Sequence, residues 1–169
     1  MARWGKVDFK QLKKLQKNID KLASVDLDKF CQDAAKELAA RLLAKVIKRT
    51  PVGEYPDHTG MMGGTLRRGW TSETEQEAEA TAVFGGGTAA KTYANSLKIE
   101  RVGNVYQIEI VNPVHYASYV EFGHRTRNHK GWVNGKFMLT ISEQELDAQA
   151  PQIIEKKLIK YLGEAFDVK

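Results

Sequence analysis

The stretch from Ser24 to Pro51, "SVDLDKFCQDAAKELAARLLAKVIKRTP", limits the fold more than any other part of the chain. Leu27, Phe30, Ala34, Leu38, Leu42 and Val46 recur every three or four residues, which predicts an amphipathic helix. Ser24 or Asp26 supplies an N-cap oxygen. Acidic Asp26 and Asp28 stand at the positive end of the helix dipole, and Lys45, Lys48 and Arg49 at the negative end. Pro51 ends the helix because its ring biases Thr50 away from helical backbone angles. Cys31 falls inside the helix and reads as a small buried residue. As the single cysteine, it excludes an internal disulfide framework and a cysteine-rich zinc site, and fits folding in a reducing cytoplasm.

A chain of 169 residues holds one compact domain with its own core. With 42% hydrophobic and 28% charged residues its balance is globular, not disordered or fibrous. The start "MARWGKVDFKQLKK" has no apolar run that reads as a signal-peptide core, and no stretch approaches the roughly 20 apolar residues of a membrane span, so a soluble protein is expected. The formal net charge of +5 matters less than its distribution. Lys10, Lys13, Lys14, Lys17 and Lys21 lie at helical spacing opposite Phe9, Leu12, Leu15, Ile19 and Leu22. Such a basic face serves solubility, an acidic protein neighbour or nucleic acid. Specific DNA readout calls for a helix-turn-helix, zinc fingers or a basic zipper, and none is recognisable.

After Pro51, "PVGEYPDHTGMMGGTLRRGW" cannot continue a helix and reads as a long connection. Its adjacent Asp57 and His58 are poorly spaced to share a metal. The segments "TLRRGWTSE", "EATAVFG", "SLKIERV" and "VYQIEIVN" carry strand-like residues. Gly103-Asn104 signals a tight turn, so an antiparallel hairpin is expected over Leu97 to Asn112. Glu73, Glu75, Glu77 and Glu79 alternate, and on a strand they share one face that is solvated or meets a basic partner. Gly85-Gly86-Gly87 lacks the Gly-Lys-Ser/Thr ending of a phosphate-binding loop and reads as a flexible hairpin tip or projecting arm. Apolar stripes return over Lys136 to Ala148 and again from Pro151, which either opens a new helix or kinks a longer one. The expected class is α+β: N-terminal helices and a C-terminal helix packed on a mainly antiparallel sheet. A single domain, 1–169, comprises a helical part (1–50), loops and sheet (51–112), and a turn with C-terminal helices (113–169).

The segment "HYASYVEFGHRTRNHKG", His115 to Gly131, is the densest in functional groups. Its three histidines, His115, His124 and His129, are spread across glycines and an expected irregular loop at spacings that do not specify a zinc site. No nucleophile-elbow motif accompanies them. No catalytic, cofactor-binding or metal-binding residue is assigned.

Thr50-Pro51, Thr59-Gly60, "LRRGW" at Leu66 to Trp70, "YASYVEFGHRTR" at Tyr116 to Arg127 and Phe137-Met138 before a final helix follow one another in an order that resembles a known family. It is the tail-completion, or head–tail joining, family of long-tailed phages, which includes proteins similar to minor tail protein Z of lambda-like phages. The similarity runs from about Thr50 to the C-terminus. It implies a non-enzymatic virion protein of the neck, made in the host cytoplasm, without cofactor or membrane. It further implies a hexameric ring of this chain that meets neighbouring neck, tail-terminator and tail-tube proteins, with non-specific contact to DNA in the lumen. Three departures from the family pattern stand out. Gly53 to Gly64 lengthens a usually compact turn, Ser72 to Ser96 is longer than typical, and Lys136 replaces a frequent proline before Phe137.

Beside that resemblance, the residues permit a physical reading. Tyr116, Tyr119, Val120 and Phe122 form one helical turn that Gly123 ends. Glu121 either pairs with an arginine such as Arg67 or Arg68, or caps or pairs internally. His124, Arg125, Arg127, His129 and Lys130 then lie on a basic loop. That loop and the acidic strand face suit head-to-tail contact between subunits. The expected interface is Arg67, Arg68, Trp70, Tyr116, Tyr119, Glu121, Phe122, His124, Arg125, Arg127 and Trp132, and the Gly53–Gly64 and Gly85–Ala90 segments are expected to order only against neighbours. Two other classes compete: a small nucleic-acid-binding protein using the basic first helix, and a metal-dependent hydrolase using His58, His115, His124 or His129.

Overall fold

The computed structural model describes residues 26–54, 63–80 and 87–166. The lysine-rich first helix expected near the N-terminus, Ser24, the Asp57-His58 pair, Thr59-Gly60 and Gly85-Gly86 lie outside the described residues. Helix α1 runs Leu27–Arg49, capped by the Asp26 carboxylate, which accepts from the Lys29 N–H at 3.0 Å. It stops at Thr50, whose backbone is extended and whose N–H still reaches the Val46 carbonyl at 2.8 Å. Cys31 is only half-buried on this helix, because its position falls beside the apolar stripe and not within it.

Three short helices follow where strands and a flexible tip were expected. Helix α2 is Thr65–Gly69, opened by Gly64 at a left-handed φ of 98°. Helix α3 is Glu75–Ala80, so the four glutamates do not share a strand face. Its start is set by Thr74, whose hydroxyl accepts from the Glu77 N–H at 3.3 Å, while the Glu77 carboxylate reaches back to the Glu73 N–H at 2.9 Å. This pair of bonds is a variant of the capping box in which the carboxylate reaches one residue before the N-cap, and it outweighs the alternation of charges. Helix α4, Gly87–Ser96, begins at the last glycine of the expected tip or arm, whose other two glycines lie outside the described residues. Ala90 and Ala94, one turn apart and fully buried, join Ala39, Leu43, Val46 and Ile47 in the core, and α4 packs along α1.

The hairpin expected over Leu97 to Asn112 is present with a shorter ladder. Strands β1 (Ile99–Val102) and β2 (Val105–Ile108) pair antiparallel, Ile99 with Ile108 and Val102 with Val105. Gly103 takes the positive φ of 63° that the first position of such a two-residue turn requires. The hairpin is fastened to α1 through Asp28, whose carboxylate accepts from the Tyr106 hydroxyl and from Arg101 at 2.6 Å.

Helix α5 (Ala117–Phe122) leads directly into β3 (Gly123–Arg125), which pairs antiparallel with β4 (Trp132–Asn134). The loop expected to carry His124 to Lys130 is therefore a second hairpin. Helix α6, Met138–Phe166, is continuous with Pro151 inside it. Pro151 and Asp147, whose carbonyl loses its helical donor to the proline, are both exposed, so water can serve the freed oxygen. The fold is α+β, with its antiparallel strands divided between two separate hairpins. α1 is the centre, contacting α4, α6, β2 and α2. No helix among the described residues is long and apolar enough to cross a membrane.

α6 lies antiparallel along α1 and is fastened at both ends by charge. Glu145 accepts from Lys45 at 3.0 Å and Arg49 at 2.6 Å, and Arg49 also donates to the Ser142 hydroxyl at 2.9 Å. Toward the other end Lys157 donates to Glu37 at 2.9 Å and to the Asp33 carbonyl at 3.0 Å, and the Phe30 and Tyr161 rings stack with centroids 5.3 Å apart. Hydrogen bonds from Lys157 and Arg41 hold the Glu37 carboxyl below its ordinary value, and those from Lys45 and Arg49 do the same for Glu145. Each carboxyl therefore binds its proton more weakly folded than unfolded. The stability these pairs contribute is complete above the ordinary carboxylate range and is lost as pH falls through the lowered folded values. Lys157→Met is expected to be less stable than the parent chain at neutral pH and to converge with it on acidification, as urea unfolding across a pH series will report. A constant gap at every pH would show that Glu37 does not carry the difference.

Candidate functional site

The two sequence motifs that stand apart, Thr50-Pro51 with "LRRGW" and "YASYVEFG" with Phe137-Met138, each fold around one buried polar residue. The first is Thr50, fully buried. Its hydroxyl donates to the Val46 carbonyl at 2.7 Å and accepts from the Trp70 indole Nε1 at 2.8 Å. Its carbonyl accepts two bonds from Arg67, Nη2 at 2.6 Å and Nε at 3.0 Å. Arg68 is buried and donates to the Ala78 carbonyl at 2.6 Å and the Gly63 carbonyl at 3.2 Å, which draws α3 and the chain before α2 together. Gly69 is demanded by packing, since a Cβ there would collide with the Asn112 side chain, which itself donates to the Leu66 carbonyl at 2.8 Å.

The second residue is Glu121, also buried. Its carboxylate accepts from the Leu139 N–H at 3.0 Å, the Thr140 N–H at 2.9 Å and the Thr140 hydroxyl at 2.8 Å. It caps the start of α6, a place where the helix dipole favours negative charge. The pairing of Glu121 with Arg67 or Arg68 is thereby corrected: open backbone amides at a buried helix start need an acceptor, and both arginines are directed to carbonyl groups. Gly123, at φ 87°, and Gly135 let α5 and the β4 end approach until a Cβ on either would collide with backbone. The Val120 and Glu121 carbonyls accept from the Lys136 and Phe137 N–H groups at 2.8 and 3.0 Å.

This clamp sets the β3–β4 hairpin at the surface. Of the residues expected at the interface, Arg68, Trp70 and Glu121 are interior and hold the frame. Arg67, Tyr116 and His124 are half-buried. Tyr119, Phe122, Arg125, Arg127 and Trp132 are exposed, with 57% of Tyr119, 63% of Phe122 and 59% of Trp132 open to solvent. Val133 and Phe137 add to this apolar surface. Phe137 was visible only as part of a motif, and Val133 had no signal because an outward valine on a short hairpin looks like any strand valine. His124 stacks edge-on against Tyr119 with centroids 5.8 Å apart, and its buried Nδ1 has no partner among the described residues.

The histidines do not converge. His115 Nδ1 meets Glu75 Oε1 at 2.6 Å, joining the start of α5 to α3, while His124 and His129 sit on the hairpin. Among the described residues no three His, Cys, Asp or Glu side chains are grouped to hold a metal ion. In the groove lined by Asp33, Lys36, Glu37, Arg41, Lys91 and Lys157, Glu37 pairs with both Lys157 and Arg41, and Lys36 donates to the Asn95 carbonyl at 3.1 Å.

Residues 13–123 match the model of the HK97-gp10-like family, bacteriophage tail-component proteins. The matched span includes the Thr50 centre and α5 and ends at Gly123, where the hairpin begins. No curated protein and no solved structure matches the chain. The chain belongs to the HK97-gp10-like family and is a structural component of the phage tail, in agreement with the resemblance drawn from its motifs.

Thr50→Val keeps the shape of the side chain and strands the buried Trp70 N–H. It is expected to cost about 1–3 kcal/mol in chemical denaturation, with Thr50→Ser costing less. Glu121→Gln is expected to cost a similar amount, about 1–3 kcal/mol, and to speed hydrogen exchange at the Leu139 and Thr140 amides. Unchanged exchange there would mean that α6 does not depend on this cap.

Proposed function

We propose that the chain is a ring subunit of the phage neck, completing the tail and joining it to the head. One observation supports this reading above others: the clamp around Gly123 and Gly135 holds Tyr119, Phe122, Trp132, Val133 and Phe137 out to solvent beside Arg125, Arg127 and Lys130. Tail membership places the chain among virion proteins, and a rigidly presented apolar and basic surface is what an assembly contact needs. In this reading the exposed part of the expected interface, together with half-buried Arg67, Tyr116 and His124, meets copies of the chain in a hexamer and the neighbouring neck, tail-terminator and tail-tube proteins. Arg68, Trp70 and Glu121 act from inside by fixing its shape. Cations left facing the lumen contact passing DNA weakly and without sequence preference.

Electron microscopy of particles assembled with and without the chain tests the proposal. A ring at the head–tail junction is expected, with heads and tails left unjoined when the chain is omitted. Intact, joined particles lacking it would overturn the reading.

A further inference from the structure

We infer that the β3–β4 hairpin of one copy docks on helix α3 of the next copy, an inference that rests on the ring reading above and names the surfaces that meet.

The chain segregates its charge around these two elements. From Phe122 to Ser142 there is no Asp or Glu, while Arg125, Arg127, Lys130 and Lys136 all fall in that span. From Gly69 to Ala90 there is no Lys or Arg, while Glu73, Glu75, Glu77 and Glu79 do. The hairpin cations are exposed and form no ion pair among the described residues. Glu73, Glu77 and Glu79 are exposed on the opposite patch. Opposite charges on two different patches of one chain are what a head-to-tail contact requires, since each copy offers one patch to each neighbour.

Among the described residues, nothing covers the hairpin. Its strands are three residues each, every residue of β4 is exposed, and an isolated two-stranded pair is marginal in water. In the ladder, Trp132 faces the same side as Arg125, and Val133 the same side as His124, so apolar groups and cations are interleaved. A DNA phosphate backbone neutralises such cations but leaves the rings wet, whereas a protein surface rich in carboxylates accommodates both. α3 is tied to α2 by the Arg68 bond to the Ala78 carbonyl and to the residues before α5 by the Glu75–His115 contact, and the hairpin leaves the end of α5, so one frame carries both patches. Two complementary patches on one frame let a ring close.

Two charge-reversed forms of the full-length chain test the contact. One carries Arg125→Glu and Arg127→Glu on the hairpin; the other carries Glu73→Lys and Glu79→Lys beside and on α3, leaving the Thr74–Glu77 cap intact. Mass by light scattering at low salt is expected to show oligomers for the parent chain. Each reversed form alone is expected to associate at least about tenfold more weakly, and the equimolar mixture to recover the parent mass, because the two forms alternate around an even-numbered ring. Circular dichroism checks that both forms are folded. A parent chain that stays monomeric, a reversed form that associates like the parent, or a mixture that does not recover would each overturn the inference. So would salt-sensitive binding to duplex DNA that disappears in the hairpin form while its self-association is unchanged, which would assign those cations to DNA. A mixture that fails while microscopy still places the chain at the junction sinks this contact alone. A mixture that recovers while the junction lacks the chain sinks the neck reading alone.

Discussion

Thr50 is the point on which the rest of the molecule depends. A helix end leaves carbonyls without partners, and a proline immediately after it prevents the usual continuation. Thr50 resolves both by turning its N–H and hydroxyl back to Val46 while leaving its carbonyl and a hydroxyl lone pair for others. Arg67 and Trp70 use them, so the end of the longest early helix becomes the seat of α2. Through Arg68 the same short helix gathers α3, and through Gly69 it admits Asn112 and the segment leading to α5. Residues separated by a long connection are thus joined by buried and half-buried hydrogen bonds, and the buried ones are worth keeping because their loss strands a buried group.

Glu121 repeats this arrangement at the other side of the fold. A buried carboxylate is costly unless fully satisfied, and here three donors at the start of α6 satisfy it. α5, the hairpin and α6 therefore meet at one residue, and the exposed rings owe their position to an interior charge. Burial and exposure are divided between neighbours in sequence: Glu121 faces in, Phe122 faces out, and Gly123 permits the turn between them.

The parts of the fold that were legible had local causes. α1 carried a cap, a dipole-matched charge pattern and a proline stop, and the β1–β2 hairpin carried Gly-Asn at its turn. α3 was misread although its signal was present, because the alternating glutamates suggested a strand while Thr74 and Glu77 spelled a helix start. α2 and α4 had weaker signals: five residues hold too little periodicity, and the glycines before α4 suggested a tip. The hairpin beyond Gly123 depends on close backbone approach at Gly135, a tertiary fact no spacing reveals. Among the expected interface residues, Tyr119, Phe122 and Trp132 are exposed, in keeping with large apolar groups that stand beside charge. Arg68, Trp70 and Glu121 were grouped with them because a motif marks residues that matter without saying whether they face in or out.

The pairing of α6 with α1 has a mechanical side. Glu145 is held near one end and Lys157 near the other, with the Phe30–Tyr161 stack beyond. A slide of one helical turn, about 5.4 Å, would part both charged fastenings and unstack the rings together. Apolar stripes alone repeat every turn and tolerate such a slip, but these singular contacts do not. The two helices therefore form a brace that resists shear along its length as well as separation, a property suited to a part of a tail through which load passes end to end.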